Sequence, residues 1–235
     1  MATAEKLDWL VADQLKAKLS GATLIGREII VLKQSGSTND AILQFSSTHV
    51  PLTREGLVLF AEHQTAGRGQ HGNRWESTKG KGLWFSILLR PEIQLRDSGR
   101  LTIWAIEAIS DMIRFEFGLE TAIKFPNDVQ LCERKVAGVL VEMRAQENAP
   151  HLAVIGIGIN VNQSRNDFPA ELRERAISLA MALSRQVDRQ NFAVALLRHL
   201  DLTYRERFSS GIAAIKSSPV RTTTRDKRAA RFPTV

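Results

Sequence analysis

The stretch EHQTAGRGQHGNRW, residues 62–75, combines glycines at 67, 69 and 72 with Arg68 and Arg74, and has no apolar residue between Ala66 and Trp75. Glycine lets backbone approach an anion without a Cβ in the way, and arginine pairs with phosphate oxygens through its planar fork. The chemistry these residues suggest is anion binding. The G-x-G-x-x-G spacing also belongs to the dinucleotide-binding turn, and Glu92 follows Gly72 by twenty positions, where a ribose-binding acid would fall. That turn requires a helix starting at its third glycine. The segment that follows, NRWESTKGK, holds Gly80 and no apolar stripe, so it supplies no crossover helix. A loop this long inside a compact domain is more often functional than idle, so an anion-covering loop is favoured over a solvated hairpin connection.

Further polar residues stand at the ends of apolar runs. SGSTND (35–40) offers Ser37, Thr38 and Asn39, whose plainer role is a helix N-cap. In KFPND (124–128), Lys124 is a cation and Asp128 a hard oxygen ligand, although Pro-Asn-Asp is also ordinary turn chemistry. Lys135 precedes the apolar run VAGVLV and by itself would read as an exposed strand lysine. Gly138 inside that run signals either a bulge or close approach of another group. Trp75 would ordinarily pack in the core, and Asn160 would ordinarily end a strand.

These residues need elements to carry them. Residues 7–20 read as a short helix, 22–34 as a strand or strand pair, and Ser37 as the cap of a helix over 38–47. GLVLFAE (56–62) and GLWFSILLR (82–90) read as buried strands flanking the polar loop. Residues 97–117 carry the strongest helical stripe, from Leu101 through Ile113, with Gly118 as its stop. TAIKF, KVAGVLVEM and HLAVIGIGINV read as strands, and Glu171–Leu183 and Asn191–Phe208 as helices. This order predicts an α+β domain with a mixed β-sheet flanked by helices rather than a doubly wound one.

Composition narrows the classes. Apolar residues make up 43% and charged residues 24% of 235, ordinary for a soluble globular protein. No apolar run is long enough for a membrane span, and the acid-bearing N-terminus does not read as a secretory signal. Cys132 is the only cysteine, so no internal disulfide forms and a reducing, cytoplasmic setting is expected. The histidines show no zinc-type spacing. The net charge of +7 hints at nucleic acid, but residues 216–235 hold six basic residues against Asp226, so the surplus belongs to a tail and not to a basic domain face. One short N-terminal helix is too little for a helix-turn-helix reader, and no DNA binding is expected.

Taken together, SGSTND, EHQTAGRGQHGNRW, KGLWFSILLRP (81–91), IKFPND (123–128), RKVAGVLVE (134–142) and GIGINV (156–161) resemble, in order, the catalytic domain of biotin–protein ligases of the monofunctional type. The resemblance implies a biotin/lipoate ligase-like fold over residues 1–210. It implies ATP, Mg²⁺ and biotin as reactants, biotinyl-5′-AMP as intermediate, and a biotin carboxyl carrier domain of a carboxylase such as acetyl-CoA carboxylase as partner. A homodimer is possible by family habit. The residues it marks for biotin are Ser37, Thr38, Asn39, Gln64, Arg68, Gly69, Gln70, Lys135 and Gly138. For ATP and the adenylate it marks Gly67, Arg68, Gly72, Trp75, Asn127 and Asn160. It gives Lys135, Arg68, Asp128 and Lys124 catalytic roles and makes Asp128 the Mg²⁺ ligand. A lipoate or octanoate ligase and a non-catalytic biotin- or nucleotide-binding protein are the alternatives. Two departures stand out. Gln70 occupies a position usually held by arginine in the family, which predicts a weaker hold on the adenylate. Residues 211–235 lack the alternating apolar strands of the family's C-terminal SH3-like barrel, which therefore reads as missing and replaced by a basic, disordered tail.

Overall fold

The computed structural model describes residues 8–19, 23–48, 55–146 and 151–208. Among the described residues, seven strands form one sheet: β1 (Glu28–Leu32), β2 (Leu57–Ala61), β3 (Gly82–Leu89), β4 (Ala122–Lys124), β5 (Asp128–Leu131), β6 (Arg134–Arg144) and β7 (Leu152–Asn160). Their spatial order is β1-β2-β3-β7-β6-β5-β4. Only β1 and β2 pair parallel, because the helix α2 (Thr38–Thr48) crosses between them; the other five pairings are antiparallel. The remaining helices are α1 (Ala12–Lys18), α3 (Gly99–Phe117), α4 (Leu179–Leu183) and α5 (Arg189–Phe208). The mixed sheet flanked by helices is the architecture expected from the order of apolar runs.

Period-two alternation gives the sheet two different faces. Odd-numbered Ile155, Ile157 and Ile159 of β7 join Leu83, Phe85 and Ile87 of β3 in the main core, against the stripes of α3 and α5. Trp104 and Ile109 of α3 are wholly buried there, each large apolar side chain contributing about 1.5–3 kcal/mol. The opposite face is covered only in part. There Ile42 and Leu43 of α2 pack on Leu57, Leu59, Leu88, Leu152 and Val154. Beyond Val154 the apolar cover stops and polar groups begin.

Several boundaries differ from the sequence-based ones. Residues 8–11 lie outside any helix, with Val11 extended, and helix α1 starts only at Ala12; the amide of Leu10 donates to the buried Glu62 carboxylate (2.7 Å) and that of Val11 to Gln190 (3.0 Å). The strand β5 escapes a propensity reading because its turn to β6 uses Cys132 and Glu133, both with positive φ, where glycine or asparagine would have signalled a hairpin. The helix expected over Glu171–Leu183 is confined to Leu179–Leu183. Tertiary bonding overrides it: the backbone of Arg175 and Ile177 pairs with Lys135 in a parallel bridge, incompatible with a helix. The expected tail and the question of the barrel lie outside the described residues. Among the described residues no helix is long and apolar enough to cross a membrane.

The irregular segment 161–178 is fastened at Asp167. Its carboxylate accepts from the Ser164 amide and hydroxyl (2.7 and 2.8 Å) and pairs with Lys81 at 2.9 Å. Burial pushes the carboxyl up, but Lys81 and Ser164 together outweigh it and hold it below the ordinary aspartate value. The folded carboxyl therefore ionises more readily than the unfolded one. Its stabilisation is complete above 3.8 and is lost as pH falls through the lower folded value. Asp167→Asn is expected to cost about 1 kcal/mol at neutral pH, with the gap to wild type closing in acid. Thermal melts across pH check this, and a gap that does not change with pH contradicts it.

Candidate active site

The centre of the partly covered face has no side chains. Gly138 of β6 pairs with Gly158 of β7, and Gly156 pairs with Leu140. A Cβ built on Gly158 would lie 2.5 Å from the Trp75 ring, and one on Gly156 would lie 2.4 Å from Asn39 Oδ1. One on Gly138 would meet both Trp75 and the Lys135 side chain at 2.9 Å. The three glycines are thus a cleared floor on which Asn39, Trp75 and Lys135 lie.

One wall of the cleft above this floor is the start of α2. Gln64 Oε1 accepts from the Thr38 amide at 2.8 Å, so Gln64 satisfies a first-turn donor of the helix, while the Ser37 carbonyl accepts from Ala41. Ser86 of β3 donates to Asn39 Oδ1 (2.6 Å) and sits 2.8 Å from Thr38 Oγ1. Asn39 Nδ2 donates to Glu142 at 2.6 Å. Ser37, Thr38, Asn39 and Gln64 are all buried. The result is a fixed array of hydroxyls and amides beside an apolar sheet, suited to a neutral planar group with donors and acceptors.

The glycine loop forms the other wall. It is a short hairpin: Arg68 bridges Arg74, the Trp75 amide donates to Gly67 (2.9 Å), and the Gly69 amide to Asn73 (2.7 Å). His71 and Gly72 take positive φ at its tip. Gly67 is required by contact, since a Cβ there would sit 2.5 Å from the Trp75 carbonyl oxygen. Arg68 reaches across the cleft to Asp40 of α2 (2.7 Å) and to both oxygens of Glu142 (3.1 and 3.0 Å). Arg68 is 41% and Asp40 64% exposed, so these bonds together hold the loop only loosely. Gln70 and Gly72 line a shallow outer depression beside Arg68 rather than the cleft itself.

Lys135 owes its position to a β-bulge. Along β6, simple alternation from Gly138 would turn residue 135 to the core face. The register with β5 shifts between Val129 and Gln130, so Gln130 pairs with Lys135 while both Val136 and Ala137 are buried in the core. The extra residue turns Lys135 to the cleft. Its Nζ lies 2.7 Å from Asp128 Oδ1, an ionic contact whose angle does not make a hydrogen bond, and 5.1 Å from the Trp75 ring centroid.

Two cavities meet at this lysine. The cleft contains Ser37, Thr38, Asn39, Gln64, Arg68, Gly69, Trp75, Asn127, Lys135 and Gly138. The adjoining, more open cavity contains Trp75, Lys124, Asp128, Lys135, Asn160 and Arg175. Asn127 and Asn160 are engaged by protein: Asn127 Nδ2 donates to the Val139 carbonyl (3.2 Å), and Asn160 Nδ2 to the carbonyls of Lys135 (3.3 Å) and Ile177 (3.2 Å). Both steady the strand that carries Lys135. Among the described residues no cluster of three His, Cys, Asp or Glu side chains is arranged to hold a metal by itself.

Sequence reasoning overlooked Asp40, Ser86, Glu142, Gly156, Gly158 and Arg175. The alternate glycines of GIGIN were a usable signal, because glycine at every second position of a central strand means that something lies on that face. Nothing local marks Asp40, Ser86, Glu142 or Arg175; only pairing and packing bring them in.

A glycine-arginine loop, a polar pocket on a glycine floor and a lysine bordering two cavities make up the candidate site. A model of the biotin/lipoate A/B protein ligase family matches residues 31–160. The chain is 37% identical over 202 residues to the bifunctional ligase/repressor BirA of Bacillus subtilis, covering 86% of this chain and 60% of that protein. It is 35% identical over 191 residues to the biotin–[acetyl-CoA-carboxylase] ligase of Mycobacterium tuberculosis, covering 80% and 68%. Among solved structures it resembles the biotin protein ligase from Aquifex aeolicus in complex with biotin and ATP, with a TM-score of 0.64, 30% identity, and coverage of 77% of this chain and 73% of that one. The chain belongs to the biotin/lipoate A/B protein ligase family. It spans 60% of the length of the Bacillus relatives.

Gly158→Ala is expected to displace Trp75 from the floor, because the new Cβ would lie 2.5 Å from its ring. Tryptophan fluorescence of the folded variant against wild type checks it. An unchanged emission spectrum would show that the clearance is not needed.

Proposed function

We propose that the chain couples biotin to ATP, releasing pyrophosphate and forming biotinyl-5′-AMP, and then transfers the biotinyl group to a lysine of a biotin carboxyl carrier domain of a carboxylase. The observation that carries this reading is Lys135, the charged side chain that borders both the hydrogen-bonding cleft and the wider cavity, paired with Asp128 at 2.7 Å. The relatives from Mycobacterium tuberculosis and Aquifex aeolicus, a biotin ligase and a biotin- and ATP-bound one, support biotin and ATP as reactants.

In this reading the ureido ring of biotin is held by Ser37, Thr38, Asn39 and Gln64, and its carboxylate extends toward Lys135. The triphosphate occupies the wider cavity. A carboxylate and an α-phosphate repel at close range, by about 4 kcal/mol for two unit charges at 4 Å in a partly buried setting. The Lys135 ammonium, fixed before either anion arrives, offsets that repulsion, and Arg68 becomes available when a ligand displaces its acids. The biotin carboxylate oxygen attacks the α-phosphorus, and pyrophosphate leaves with the electrons of the P–O bond. The amine of the carrier lysine then attacks the carbonyl carbon of the mixed anhydride. AMP leaves as the phosphate anion, and the amine proton passes to solvent. Asp128 lines the wider cavity and would offer a Mg²⁺ ion the carboxylate oxygen that Lys135 does not occupy, together with substrate phosphates and water. When bound, such an ion neutralises phosphate charge and steadies the leaving pyrophosphate.

ATP–pyrophosphate exchange with biotin, with lipoate or with no acid tests the reading directly. Exchange that requires biotin is the expected outcome. Exchange with lipoate alone moves the protein to the other branch of the family, and no exchange in folded protein favours a binding role. Lys135→Met is expected to lower biotin-dependent exchange at least about a hundredfold, as removal of a preorganised stabilising charge does. A loss confined to KM would mean that Lys135 only binds substrate.

Gln70 stands at the outer edge of the loop, where it offers an amide in place of a fixed cation. Gln70→Arg is expected to slow release of biotinyl-AMP, measured by chasing labelled adenylate with excess biotin and ATP. An unaltered release rate would remove Gln70 from the retention of the intermediate.

A further inference from the structure

The glycine loop is held at its neck by a buried ion pair that lies outside both cavities. Glu62 immediately precedes the loop and Gly82 immediately follows it. Arg189, at the start of α5, is fully buried, and Glu62 is 2% exposed. One guanidinium nitrogen of Arg189, Nη1, donates to Glu62 Oε2 (2.8 Å) and to the Gly82 carbonyl (2.8 Å). Its other terminal nitrogen donates to Glu62 Oε1 (3.3 Å) and to the backbone carbonyl of Asp8. The Glu62 carbonyl accepts from the Gly80 amide at 3.1 Å, which closes the neck a second time. The segment before α1 seals the pair, with the Leu10 amide donating to Glu62 Oε1.

A buried ion pair is weak evidence for stability, because an apolar replacement of the same shape often does as well. What an apolar pair cannot do is bond both roots of one loop at fixed positions. The fork geometry of arginine can, and lysine's single ammonium cannot. Two residues beyond Glu62, Gln64 carries the Thr38 amide and a wall of the cleft. A displacement at Glu62 therefore passes directly to the pocket.

We propose that Arg189 and Glu62 are positioning residues that clamp the roots of the loop spanning residues 63–81 and so hold Gln64 and the arginine-bearing hairpin in register with the cleft. The effect on catalysis rests on the biotin–ATP reading; the effect on the loop does not.

The test compares Arg189→Lys and Glu62→Gln with Ile109→Ala, a core truncation in α3 remote from the loop. Two readouts are needed below the melting temperature of each protein: the rate of tryptic cleavage after Arg68 and Arg74, followed by fragment mass, and kcat and KM for biotin in pyrophosphate exchange. The clamp predicts loop cleavage at least about tenfold faster and a raised KM in both polar variants, with neither change in Ile109→Ala. Unchanged cleavage and KM overturn it, and so do changes that Ile109→Ala reproduces at equal destabilisation. If Arg189→Lys does not fold, Glu62→Gln, which keeps the shape and removes only the charge, decides the question by the same two readouts. If neither folds, the pair serves the core in general and the proposal falls. Wild-type protein without biotin-dependent exchange would sink the activity reading, while the cleavage rates would still test the clamp.

Discussion

The site depends on a patch of sheet that carries no side chains. At Gly138, Gly156 and Gly158 the backbone of β6 and β7 is bare on one face, and the space that Cβ atoms would fill is taken by Asn39, Trp75 and Lys135. On the other face the same strands bury Val139, Ile155, Ile157 and Ile159 in the main core. A central strand thus does two jobs through its period of two, anchoring the fold with odd-numbered residues and clearing a site with even-numbered ones. Glycine weakens a strand interior by its entropy, a cost this sheet absorbs because both neighbours of each glycine are fully paired.

The two cations that line the cleft are each paired with acids. Lys135 rests on Asp128, and Arg68 on Asp40 and Glu142. These contacts are partly exposed and correspondingly weak, so an arriving carboxylate or phosphate competes with them at low cost. The Arg189–Glu62 pair is of the opposite kind. It is buried, polyvalent and wired to backbone, and breaking it leaves charge stranded in the core. The loop therefore has a stiff neck and a loosely held tip, a division suited to covering a ligand after it binds.

The turn of Lys135 into the site shows how little of this is local. Its side chain would face the core by simple alternation, and one extra residue in β6 reverses that. The bulge is held by the backbone bridge between Lys135 and Ala176 and by the Asn160 amide on the Lys135 carbonyl. The bridge forces segment 171–178 out of helix, which is why an apolar pattern that reads as a helix ends as turns.

Much was legible in the sequence. The apolar runs around 57–61, 82–89 and 152–160 could only be buried strands, and the stripe from Leu101 to Ile113 ending at Gly118 could only be a helix packed on them. The glycine-arginine loop read as better suited to covering an anion than to a solvated connection, because a loop that long in a compact domain is more often functional than idle. The order of short motifs pointed to the family. The tertiary structure alone decided the rest. That Glu142 and Asp40 meet Arg68, that Ser86 and Glu142 hold Asn39, and that Arg189 grips both ends of a loop more than a hundred residues earlier in the chain are facts of pairing between distant segments. Periodicity reports which face a residue takes within its own element. It carries no information about which residue another element sets opposite, because that depends on register, bulges and crossover, and these are fixed only when the whole sheet closes.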